Sequence, residues 1–127
     1  MHKKHSMLLL RTAAIFGAIG AGIGGHMAGS YDYNFRAAHA HILVVGWLSL
    51  FAWAVYYRIF KPVSVKVATV HVYTAIIGTI GLTSGFILEI FNVPQPFYFI
   101  VYIGGGVTLL LSFILFAYMA LFMKHED

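Results

Sequence analysis

The sequence predicts an all-α integral membrane protein, a single domain of four spanning helices. Three observations carry that prediction. The chain has 127 residues, of which 61% are hydrophobic and 9% charged, with mean hydropathy +0.85; a soluble domain carries about 25% charged residues. Its apolar residues fall into four runs, each long enough for the roughly 20 residues a helix needs to cross a bilayer. Only short polar connections separate the runs, so consecutive helices are expected to be antiparallel neighbours.

The first span is expected at about residues 8–29. Lys3 and Lys4 before an apolar run could open a signal peptide. The length of the run and its start from Met1 favour a retained first span. Gly17, Gly20, Gly22, Gly24 and Gly25 leave part of this helix nearly bare backbone, the usual mark of close helix contact. The second span is expected at about 37–60 and contains Trp47, Trp53, Tyr56 and Tyr57. Tyr56 and Tyr57 beside Arg58 predict an interfacial aromatic belt. The third span, about 65–90, carries His71 with Tyr73, Thr74, Thr79, Thr83 and Ser84. An Asn-Val-Pro-Gln-Pro turn signal then leads to the fourth, about 97–123. Its Gly104-Gly105-Gly106 run predicts close helix approach. It is no phosphate loop, because it lies inside an apolar span with no Lys-Ser/Thr after it.

Charge placement predicts the orientation. Lys3, Lys4, Arg11, Arg58, Lys61, Lys66 and Lys124 fall on one side; Arg36, with Asp32 and Glu89, falls on the other. The positive-inside rule makes both termini and the second loop cytoplasmic. The net charge of +4 is therefore a topology signal and not a nucleic-acid surface. With no cysteine, disulfides, iron–sulfur clusters and thiolate metal sites are excluded. No Ser–His–Asp set or carboxylate-rich cage supports a hydrolase or di-iron reading.

The informative residues are His39 and His41. Ionisable groups inside a membrane segment are costly and tend to mark functional sites. Each helical residue advances about 100°, so an i, i+2 pair is rotated by roughly 200°. The two imidazoles are expected on nearly opposite faces, unsuited to one shared ion but able to serve two sites. Imidazole is a common heme-iron ligand, and hydrogen bonding to neighbouring helices is the plainer role. Gly46, seven residues after His39, is expected on the His39 face, leaving room for a flat macrocycle or for a closely packed helix. His26, and less readily Met27, are possible ligands at a similar outer depth. His71 lies roughly 9 Å into its helix from the cytoplasmic side. That separates it in height from the other three, in a hydrocarbon core about 30 Å thick. It could take a proton from the cytoplasm, ligate a second cofactor, or hydrogen-bond across helices. The hydroxyls of the third span could mark a proton path or bond to their own backbone. Glu89 reads as an interfacial carboxylate, and His2, His5 and His125 as solvated terminal residues.

The segment 35–50, with His39-Ala40-His41, Gly46-Trp47 and the trailing Tyr56-Tyr57-Arg58, resembles heme-ligating helices of the heme–copper oxidase and nitric-oxide reductase large subunit. It resembles more closely the small four-helix, cytochrome-oxidase-like membrane proteins of bacteria. Those carry His-Ala-His…Gly-Trp after an acidic loop residue, here Asp32, and a histidine opening the third helix with a glycine seven residues on, here His71 and Gly78. Where they place a second histidine, this chain has Ala75. The resemblance implies a four-helix arc, one third of an oxidase-like ring, in the bacterial cytoplasmic membrane. Three copies would rebuild the ring as a homotrimer holding up to three b-type hemes. Each iron would be held by His39 of one protomer and His41 of the next, with Arg36 beside the propionates. The histidines that hold copper in the large family are missing, so electron transfer with an unidentified redox partner is expected in place of oxygen reduction. Two other readings remain open: a copper or other metal transport protein using His26, His39 and His41, and a scaffold or assembly subunit whose histidines only hydrogen-bond.

Overall fold

The computed structural model describes residues 2–124; His125 lies outside them. Four long helices make up the described chain: α1 (His2–Ser30), α2 (Arg36–Ile59), α3 (Val65–Ile90) and α4 (Phe97–Leu121). All four are long and apolar enough to cross a membrane, and the described residues contain no strand. The boundaries follow the hydropathy pattern with one difference. Helix α1 begins at His2, six residues before the apolar run, because the polar first turns are docked and not frayed. The Ser6 hydroxyl donates to the Ala54 carbonyl at 2.8 Å, tying this end of α1 to α2.

Local chemistry explains the turns. After α1, the Asp32 carboxylate accepts from the Asn34 N–H at 3.1 Å and Ser30 Oγ accepts from the Asp32 N–H at 3.2 Å. These side chains offer the backbone an alternative to helix and turn it toward α2. Ser64 caps α3 by accepting from the Val67 N–H. Asn92, at φ 53°, follows the end of α3, in the left-handed conformation that Asn tolerates at helix C-termini.

Consecutive helices run antiparallel, so the two ends of the described chain share one face of the bundle. The pair α3–α4 meets at glycines. Gly78 faces Leu109, Gly81 faces the Gly105 Cα, and Gly85 faces Tyr102. Of the triple-glycine run only Gly105 makes the backbone contact, against Gly81 and Leu82; a side chain at Gly104 would meet open space. The core is lopsided. Leu9, Ala13, Leu50, Trp53, Ala54, Tyr56, Tyr57, Ala68, Val72, Ala75 and Met119 form one cluster in the half that carries the chain ends. All four helices contribute to it. The opposite half is held mainly by the α1–α2 and α3–α4 pairs.

Helix α2 is not uniform. Arg36–His41 and Leu50–Ile59 are α-helical, while Ile42–Ser49 is wound as a π-helix. Its wider i→i+5 pattern is rare over such a length and recurs at functional sites. The Ser49 hydroxyl follows the same spacing, donating to the Val44 carbonyl at 2.9 Å. The histidine pair lies in the regular turns before this segment.

Candidate functional site

His39 is seated on α1. Its Nδ1 lies 2.8 Å from the Gly20 carbonyl oxygen. A carbonyl can only accept, so Nδ1 carries the proton and Nε2 keeps its lone pair. The ring rests where α1 has no side chain: a Cβ at Gly24 would come within 2.7 Å of His39 Cε1. The glycine stripe of α1 is therefore read by α2 residue by residue, with Gly24 under His39, Gly20 under Leu43 and Gly17 under Trp47.

His41 turns the other way. Its ring lies 4.4 Å from that of Phe86 on α3, at an interplanar angle of 36°. Its Nδ1 sits 2.9 Å from the Ala37 carbonyl of its own helix, so this imidazole also holds its proton on Nδ1. Both histidines are half-buried, on opposite flanks of α2, as the i, i+2 spacing requires. Arg36 is exposed at the first turn of α2, its guanidinium 5.4 Å from the Tyr33 ring centroid. Gly46 faces α1, and the space before it is filled by Phe16, which a Cβ there would meet at 2.6 Å. Within one chain it serves helix packing. His26 is exposed and meets Phe35 edge-on, with ring centroids 6.0 Å apart. Met27 is 7% exposed. Among the described residues no three His, Asp or Glu side chains gather into a group that could hold an ion. His26, His39 and His41 therefore do not converge within one chain.

A second polar cluster lies in the half of the bundle carrying the chain ends. His71 is fully buried against the rings of Trp53, Tyr57 and Phe116. The Tyr57 oxygen lies 2.7 Å from His71 Nδ1 and 3.3 Å from the Ala68 carbonyl. Both contacts are satisfied together when His71 Nδ1–H donates to Tyr57 and the Tyr57 O–H donates to Ala68. His71 Nε2 is then a buried lone pair without a partner, and His5 Nδ1 and Tyr56 Oη are likewise unpartnered. Each such group costs about 1–3 kcal/mol when nothing satisfies it.

This cluster corrects two expectations. Tyr56 and Tyr57 are not an interfacial belt; they are 6% and 1% exposed and belong to the core. His5 is not a solvated terminal residue, because α1 reaches back past it and buries it to 8% exposure beside Tyr57. Hydropathy marks where lipid begins, not where packing ends. Three threonine hydroxyls of α3 are spoken for: Thr74, Thr79 and Thr83 donate to the carbonyls of Val70, Ala75 and Thr79. They bond to their own helix and form no continuous path. Glu89 is exposed near the end of α3.

Comparison with protein-family models, with curated proteins and with solved structures finds no match.

Proposed function

We propose that this chain is a b-type heme-binding membrane cytochrome that passes electrons through bis-histidine iron. The proposed assembly is a homotrimeric, oxidase-like ring with cytoplasmic termini, in which His39 of one protomer and His41 of the next hold each iron. The observation that carries the reading is the backbone carbonyl that each ring's Nδ1 meets. Both give their Nδ1–H to a backbone carbonyl, Gly20 for His39 and Ala37 for His41. That is the outer hydrogen bond metal-binding histidines characteristically make, and it fixes the lone pair on Nε2. Their opposed directions support sharing between protomers, and a head-to-tail contact that closes on itself forms a ring. Arg36, exposed beside the His39 turn, suits the carboxylates of a propionate pair. When bound, iron with two imidazoles supplies one-electron transfer without an open coordination position. The chain's part is to hold both rings in one tautomer and to keep them apart on α2.

An absorption spectrum of purified protein tests this. Reduced protein should show sharp α and β bands, lost in His39→Ala and in His41→Ala. Colourless protein with stoichiometric copper would support the metal-transport reading. Protein without any cofactor would support the scaffold reading, which the same two hydrogen bonds also accommodate.

A further inference from the structure

Among the described residues, the three buried side-chain polar atoms that lack partners are not scattered. They belong to His5, Tyr56 and His71, and these three side chains surround one ring. Tyr57 lies 5.6 Å from His5, 5.1 Å from Tyr56 and 5.7 Å from His71, centroid to centroid. Burial is graded across the group. His5, near the chain end, is 8% exposed, Tyr56 is 6% exposed, and His71 is fully enclosed. One helix each supplies His5 and His71, and α2 supplies both tyrosines. From α4 the facing residues are Phe116 and Met119, neither of which titrates. The cluster contains no carboxylate, lysine or arginine.

Buried polar groups without protein partners are characteristically completed by ordered water, which needs several polar contacts of its own. We propose that His5, Tyr56 and His71 hold water around the Tyr57 ring, and that this chain of groups delivers protons from the membrane face bearing the chain ends to His71 Nε2. In the transfer, a proton leaves water and forms a bond to Nε2, giving an imidazolium. Its Nδ1–H stays donated to the Tyr57 oxygen. The water regains a proton from bulk solvent by way of the His5 end, and no electron moves. The hydroxyl ladder of α3 is not part of this route, because its hydrogens are committed to backbone carbonyls.

The proposal is independent of the heme reading. Protonated and unprotonated Nε2 differ in 15N shift, so the rate of exchange between these two states of His71 reports proton delivery. The full chain, labelled with 15N-histidine and held in lipid nanodiscs under reducing conditions, allows that rate to be read by NMR whether or not bis-imidazole iron is bound. Wild-type protein should show His71 as the Nδ1–H tautomer, with water contacts at the ring and measurable exchange. The space-conserving variants Tyr56→Phe and His5→Phe should each slow exchange by about tenfold, the equivalent of one lost hydrogen-bonded bridge. Gly104→Ala, where a side chain would meet open space, should leave the rate unchanged. Absence of water contact in the wild type, or unchanged exchange in both phenylalanine variants, would overturn the proposal.

Discussion

At the scale of single residues, what matters is what each ring nitrogen is doing. The opposed directions of His39 and His41 follow from helical geometry alone, and this much was legible in the sequence. Their carbonyl partners were not, because Gly20 is remote in the chain and carries no side chain to announce it. His5 was misread for a related reason: a short polar stretch before an apolar run looks terminal until another helix is seen to cover it. Two predictions belong here. Gly24→Ala places a methyl group against the His39 ring and should displace it, removing the heme bands as fully as His39→Ala. Gly22→Ala and Gly25→Ala, which meet open space, should leave the spectrum unchanged. Tyr57→Phe takes away the acceptor of His71 Nδ1 and should lower stability by about 1–2 kcal/mol in detergent-induced unfolding.

At the scale of elements, glycine decides which helices touch. The α3–α4 seam was foreshadowed by Gly104-Gly105-Gly106, but run-reading cannot say which of the three faces a neighbour. Helix phase settles it, and only Gly105 lies against backbone. Gly105→Val should therefore separate α3 from α4 and cost about 3 kcal/mol or more, as overpacking into rigid neighbours does. Gly104→Ala should be close to neutral in the same unfolding measurement. The π-wound stretch of α2 was invisible in the sequence. Ile42–Ser49 is a run of ordinary apolar residues, and hydropathy has no period that separates one winding from the other. Span count and loop positions were legible because lipid imposes a length and leaves only short polar links between spans.

At the scale of the whole molecule, the lopsided core divides the labour. The half with the chain ends is the four-helix core, and the other half presents one histidine on each flank of α2. On the proposed reading, a chain with His39→Ala still offers His41, and the reverse. Each single variant expressed alone should lose heme at every shared site, whereas co-expression should restore part of it, measured as heme per protein by pyridine hemochrome. Native mass spectrometry should find the heme-loaded species as a trimer. The π-wound stretch has a further consequence for how α2 serves both halves. It is a timing joint on a common shaft, setting the angle between the histidine turn and the tyrosine turn. Removing one residue from Ile42–Ser49 while the wider winding is kept would leave hydropathy and span length almost untouched, yet turn one end against the other by nearly a quarter turn. Either the imidazoles would leave their seats on α1 and α3, or Tyr57 would leave His71. The number of residues in this stretch therefore sets the angle between the two ends of α2, a constraint that hydropathy does not record.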